Sequence, residues 1–261
     1  MRLIDKLPQV PDLNEKSIRM ITDFLFLPDK PFGSLKKGDE SVLQIMGNIA
    51  FLKDVFHDNV LSKIYTYYTN IPRLIITGGI NPAYTQDNEE VRLVKSLYTE
   101  DGEYDWNDVL TIPQSVIMNN RLQSKIGNPW VDEKQPLLET KSTNTKENFM
   151  AVKGAGWYKN VKHLRCLTTA ESGLRVLATA RKQVPELTDI GIISYAPTFP
   201  KYNLICDKEN WAKDDLTKRY VYGELLRVIK YDEFGDIVLF DSEKRKLLDI
   251  AQELFEKQRQ Q

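Results

Sequence analysis

The chain is poor in the residues that usually build metal or redox centres: its 261 residues include two cysteines and two histidines. Cys166 and Cys206 have no CxxC partner, which removes zinc-ribbon and dithiol motifs. Cys166, within LRCLTT, reads as a buried small hydrophobe. His57 and His163 lack a second His, Cys or carboxylate pair at ligand spacing, so both read as scaffold or surface residues and no metal is expected. Charge of one sign is also missing. Lys plus Arg total 36 against 37 Asp plus Glu, a net charge of -1, so no global field draws nucleic acid or anionic lipid. No apolar run reaches ~18 residues, and the N-terminal MRLIDKLPQVPDLNEK holds no uninterrupted apolar stretch. No membrane-spanning segment is expected, and a cytoplasmic, reducing setting is the default. No GxGxxG follows a strand, and neither GxxxxGK[ST] nor GxSxG occurs, which disfavours standard dinucleotide, P-loop and α/β-hydrolase sites.

What is present is a large apolar complement, 41% of residues, enough for a core that needs no disulfide or metal. Asp12 and Glu15 are spaced as a cap and its third helical residue, and Ile18, Ile21, Phe24 and Leu25 follow on one face. SVLQIMGNIA at 41–50 reads as a first core strand entering a turn. Helical spacing runs from Phe51 to Tyr68, followed by the strand RLIITGG at 73–79. Leu137-Leu138 precedes STNTKEN and a helical stretch to about Trp157. HLRCLTT at 163–169 is another strand, Gly173 to Lys182 a helix, and IGIISYAP at 190–197 a further strand. Strand, helix, strand is the order of parallel crossovers, so the expected fold class is α/β, a three-layer Rossmann-like parallel sheet.

The polar segment 81–113 is long for a connection and reads as an elaboration near the site or a lid. Past Pro200 the sequence becomes charged and helical, and a last helix is expected from Asp241 as its cap, with Leu247, Ile250, Ala251, Leu254 and Phe255 on one face. The expected organisation is an N-terminal helix in 1–34 packing with a helical appendage in 203–261, around a core in 35–202.

In a doubly wound sheet, ligands bind beyond the carboxyl ends of the strands. Gly47-Asn48 follows the first strand and Thr77-Gly78-Gly79 the second, while Ser142-Thr143-Asn144-Thr145 opens the helix carrying Glu147 and Asn148. Glycine lets backbone approach a ligand, and hydroxyl and amide groups offer neutral hydrogen bonds. Each also has a plain structural reading: a packing glycine at Gly47, a tight turn at Gly78-Gly79, and a cap with Asn144 at N-cap and Glu147 folding back. STNTKEN holds more hydrogen-bonding residues than a cap requires.

The succession VLQIMGNIA, LIITGGIN, ETKSTNTKENFMAV and LRCLTTAESGLRV resembles the YdcF-like family, which also includes the SanA and ElyC envelope proteins. The likeness spans about positions 41 to 195, and Ser-Thr-Asn-Thr-x-Glu-Asn is its most specific part. The helical ends and the FLFLPDKPFG turn place it nearer the cytoplasmic branch, described as Rossmann-like and S-adenosylmethionine-binding without an established reaction. The resemblance implies S-adenosylmethionine or a related adenine nucleotide as ligand. The implied pocket comprises Gly47, Asn48, Gly78, Gly79, Ser142, Thr143, Asn144, Glu147 and Asn148, with Thr168, Thr169 and Arg175 on the far side. Two positions depart from the family. Glu171 and Ser172 stand where many members carry His, and Gln114 stands where an acidic residue usually begins a helix. The usual acid and base are thus missing.

Besides ligand binding, an enzyme acting on a nucleotide-activated or polyprenyl-phosphate envelope precursor fits the resemblance, with Glu147 as the available carboxylate and Arg175 as anion clamp. A third reading is an interaction scaffold working through the charged ends and Trp211, Tyr220 and Tyr222, against which stands packing of those aromatics onto the core.

Overall fold

A computed structural model describes residues 8–28, 40–47, 73–80, 106–126, 135–199 and 204–258. The strands β1 (Ser41–Ile45), β2 (Arg73–Thr77), β3 (Leu137–Glu139), β4 (His163–Thr169) and β5 (Asp189–Tyr195) form one sheet in the order β3-β2-β1-β4-β5. Every pair is parallel. The chain therefore adopts the expected α/β, Rossmann-like class. Its helices are α1 (Glu15–Leu25), α2 (Trp106–Thr111), α3 (Gln114–Ile126), α4 (Thr145–Gly154), α5 (Gly173–Gln183), α6 (Asp215–Glu233) and α7 (Asp241–Gln258). The helix expected over 51–68 lies outside the described residues. So does most of the 81–113 segment, whose end forms α2.

Strand periodicity sorts the apolar residues to two faces. Val42, Met46, Ile75, Leu164, Cys166, Ile190 and Ile192 pack with Phe149 and Val152 of α4 and Val176 and Ala180 of α5. Leu43, Ile45, Leu74 and Ile76 alternate away from them and are equally buried, as are Ile117, Met118 and Leu122 of α3, which lies against β2 and β3. Right-handed crossovers require this arrangement. The β2-to-β3 helix takes one face, and once the chain reverses direction across the sheet the next two helices take the other.

Helix α5 is buried on both sides. Leu174 and Ala178 join a second core made by Ile21, Phe24 and Leu25 of α1, Val221, Leu225 and Val228 of α6, Ile250 of α7, and Trp211. Trp211 is fully buried, and its indole N–H donates to Thr22 Oγ1 at 2.9 Å. Val238 N donates to the Ala178 carbonyl at 3.0 Å, and Arg181 pairs with Glu243 at 2.8 Å. Lys16 of α1 pairs with Glu253 of α7 at 2.5 Å.

Two caps differ from the sequence reading. Helix α1 is capped by Asn14, whose Oδ1 accepts from Ser17 N at 2.8 Å. A capping side chain reaches the N–H two or three residues on, and Asp12 sits too early for that. At α7, Asp241 is the first helical residue, and Phe240 N is bonded instead by Glu243 Oε2 at 2.7 Å. The Asp241 charge still lies in the favourable first turn. A short antiparallel pair, β6 (Thr198–Phe199) with β7 (Leu204–Ile205), also went unanticipated. Two residues per strand carry no readable periodicity.

Truncating Trp211 to Ala is expected to destabilise the protein by ~3–5 kcal/mol through the cavity it leaves. Trp211→Phe, which loses the bond to Thr22 and leaves a smaller cavity, is expected to cost less, ~1–3 kcal/mol. Urea unfolding followed by circular dichroism measures both, and an unchanged midpoint for the Ala variant would show that the second core does not stabilise the fold.

Candidate functional site

Strands β1 and β4 are neighbours in space yet are separated in the chain by β2 and β3, so the chain reverses direction between them. Connections leaving adjacent strands in opposite directions part at their C-terminal ends, and ligands of such sheets sit in that crevice. Beyond β1 the pairing continues for one more bond, from Met46 N to the Leu167 carbonyl at 3.1 Å. Gly47 follows. Asn48, the next expected site residue, lies outside the described residues.

Gly47 and Gly79 lie against backbone, and Gly78 lies between the Gln114 side chain and the Gly47 backbone. A Cβ on Gly47 would stand 2.2 Å from the Thr77 carbonyl oxygen, and one on Gly79 would stand 2.7 Å from that of Ser142. Gly78 has φ +134°, a conformation side chains rarely adopt. Gly79 N donates to the Ser142 carbonyl at 2.7 Å and Gly78 N to the Glu139 carbonyl at 3.1 Å. In turn the Gly78 carbonyl accepts from Ser115 N at 2.9 Å and that of Gly79 from Gln114 N at 3.3 Å. These glycines therefore join three loops to the first turn of α3, and two N–H groups that an anion would seek there already have partners.

STNTKEN is similarly occupied. Asn144 Oδ1 accepts from Glu147 N at 2.9 Å, and Glu147 Oε2 accepts from Thr143 N at 2.7 Å and Thr143 Oγ1 at 2.9 Å. This is a capping box shifted to enclose one extra residue. Buried Ser142 and Asn148 are bonded to each other, and Ser142 also reaches Glu139. Glu139 Oε1 accepts from Lys141 N at 2.7 Å and Ser142 N at 3.0 Å, closing the turn after β3. The surplus polar capacity seen in the sequence is thus spent within the loop, and Glu147 is a capping residue.

Across the crevice, Thr168 and Thr169 are buried at the end of β4. Arg175 is not open for an anion. Its guanidinium meets Glu224 of α6, Thr145 at the start of α4, and Ser172 Oγ at 3.5 Å. Glu224 also holds Arg227 at 3.2 Å. Burial alone would raise the Glu224 carboxyl, but Arg175 and then Arg227 outweigh it and hold it below its ordinary value. Breaking such a buried pair costs ~3–5 kcal/mol, more than one charge-assisted bond to a ligand, ~1.5–3 kcal/mol, returns.

Glu171 lies in the turn between β4 and α5, 1% exposed. Its Oε1 receives the Thr169 hydroxyl and, at 3.3 Å, that of Ser172, while Oε2 is buried with no hydrogen-bond partner among the described residues. Burial pushes its carboxyl up to about 7, opposed by the Thr169 bond and reinforced by the nearby Glu224 charge. Burial also pushes the Cys166 thiol up to about 12, which suits an inert core residue rather than a nucleophile.

The structure brings Gly47, Gly78, Gly79, Ser142 and Gln114 together, and Thr145 with Arg175 and Glu224. His163 is elsewhere, at the opposite end of β4, 2.7 Å from Asp189. Among the described residues no group of three His, Cys, Asp or Glu is placed to hold a metal, and no helix is long and apolar enough to cross a membrane. Sequence reasoning passed over Glu224 and Glu139. Glu224 left a signal: it falls on the apolar face of α6 with Tyr220, Val221, Leu225 and Val228, where a carboxylate needs a buried partner. No protein-family model matches the chain, and no curated protein matches it.

Gly47→Ala is expected to yield insoluble or unfolded protein, because the neighbouring atoms are backbone; a folded variant with native thermal stability would contradict the packing role. Asn144→Ala is expected to cost about 1 kcal/mol in chemical denaturation, with no change beyond error removing the cap from the account.

Proposed function

We propose that the protein binds a nucleoside-type small molecule in the crevice between the ends of β1 and β4, with S-adenosylmethionine the leading candidate and a reaction left unassigned. The observation that carries this reading is the reversal of strand order at β1 and β4, beside ends shaped by Gly47 and Gly78. The lining of that end favours a ligand rich in hydroxyl and amino groups. Thr168, Thr169 and Gln114 are neutral and buried, and Ser115 Oγ, in the first turn of α3, is buried without a partner among the described residues. An unsatisfied buried hydroxyl calls for an occupant such as a water or a ligand atom.

The same residues fit poorly with a polyphosphate. Arg175 is neutralised by Glu224, the first two N–H groups of α3 are taken by loop carbonyls, and in the first turn of α4 Glu147 N is taken by Asn144. Among adenosine ligands this favours S-adenosylmethionine, which has no phosphate, over adenine nucleotides. It also weighs against an enzyme that uses Arg175 as a phosphate clamp and Glu147 as catalytic carboxylate. Membership of the YdcF-like family, proposed from the sequence likeness, points to the same ligand. When bound, S-adenosylmethionine would supply an electrophilic methyl group; the residues here provide hydrogen bonding and exclusion of water.

The test is a thermal-shift titration with S-adenosylmethionine, S-adenosylhomocysteine, adenosine, ATP and a short polyprenyl phosphate. A saturable rise with the phosphate-free adenosine ligands is expected, equivalent to ~2.7 kcal/mol at a hundredfold excess over Kd. A response to ATP or the polyprenyl phosphate alone would replace this reading with a phosphate-binding one, and no response to any adenosine ligand would end it.

A further inference from the structure

We propose that Glu171 reads an amino group on the ligand of the β1–β4 crevice, its Oε2 accepting a hydrogen bond from an ammonium that the ligand brings, an assignment that rests on the crevice reading and names the chemistry selected there.

Strand register sets Glu171 at the crevice. Ile45 of β1 stands beside Leu167 of β4, and Met46 N bonds the Leu167 carbonyl at 3.1 Å. Continued by two residues, the same parallel register brings Gly47 alongside Thr169, where the two connections part. The Thr169 hydroxyl donates to Glu171 Oε1, so the carboxyl lies one hydrogen bond from that point. Ser172 Oγ stands 2.9 Å from Thr169 Oγ1 and 3.3 Å from the same carboxyl oxygen. Both hydroxyl partners of Oε1 thus belong to the strand end and turn that flank the crevice.

The set is incomplete at one atom. Glu171 is 1% exposed, and its Oε2 is buried with no hydrogen-bond partner among the described residues. The hydroxyls of its own turn are spent on Oε1. Arg175 of α5 and Arg227 of α6 are both held by Glu224. A buried carboxylate is ordinarily matched by a cation and by donors to its oxygens. A ligand hydroxyl would supply the donor alone, whereas an ammonium supplies donor and charge together. Such an acceptor also discriminates, because an analogue without the N–H group leaves it unpaired. Burial pushes the carboxyl up to about 7, and a cation at Oε2 acts in the opposite sense, favouring the ionised form.

Two adenosine thioethers isolate the amino group: S-adenosylhomocysteine carries it, and methylthioadenosine lacks the whole amino-acid part. Both are titrated calorimetrically into full-length wild type and Glu171→Gln, which keeps the shape of the side chain without its charge. The substitution is expected to weaken S-adenosylhomocysteine by about tenfold to a hundredfold, the loss of one charge-assisted bond, and to leave methylthioadenosine within about twofold. Equal affinity of wild type and variant for S-adenosylhomocysteine overturns the role of Glu171 and leaves the crevice reading standing. An equal loss for both ligands also overturns it, because the carboxyl then does not read the amino group. Wild type that binds neither ligand ends both the role and the crevice reading.

Should Glu171→Gln fail to fold, the wild type decides by pH. The charged and titratable groups around the carboxyl are Glu224, tied to Arg175 and Arg227, and Cys206 after β7. Methylthioadenosine serves as the reference that cancels their common effect on the crevice. The affinity for S-adenosylhomocysteine relative to methylthioadenosine is expected to rise about tenfold per unit from pH 5 to 7, as the carboxyl ionises, and then to level. A flat ratio ends the proposal.

Discussion

Burial of α5 on both faces is the constraint on which the rest of the molecule depends. A crossover helix in a layered α/β fold normally turns one stripe to the sheet and leaves the other in water. Here the outer stripe, Leu174 and Ala178, is covered by a second core built from both ends of the chain, while Val176 and Ala180 face the sheet. The helix must then carry small residues at close approaches, and Gly173 does so: a Cβ there would meet Ile192 at 3.3 Å. It must also find partners for any charge it carries inward. Arg175 is that charge, and Glu224 answers it from the appendage.

One consequence is that α6 reaches the C-terminal end of the sheet. Through Arg175, helix α6 is bonded to the start of α4 and the start of α5 at once. A residue that the sequence presents as an anion clamp is instead a joint between layers. The distinction is energetic rather than geometric, since the guanidinium lies near the right place but is already neutralised.

The strands themselves were legible in the sequence because burial imposes periodicity, and β4 spans the HLRCLTT run, whereas β1 ends at Ile45, short of the 41–50 run, and β2 at Thr77, short of the 73–79 run. The hairpin β6–β7 and the cap at Asn14 were not legible, since both are decided by a few local bonds rather than by a repeating pattern. At the site, the segments were identifiable while their commitments were not. Ser142, Thr143, Asn144, Glu147 and Asn148 are a run of donors and acceptors on paper, and only the folded loop shows that they satisfy one another. Glu171 is the reverse case. It reads as an ordinary acidic residue beside a helix, and only the fold shows that it is buried, with Oε2 lacking a partner among the described residues.

The mutual contact of Gly47, Gly78, Gly79 and the 140–142 backbone makes three loops one rigid rim. A rim of that kind has no independent parts to vary. Any substitution that tunes this end of the sheet without unfolding it would have to fall around the rim, on the first turns of α3 and α5, and not on the glycines themselves.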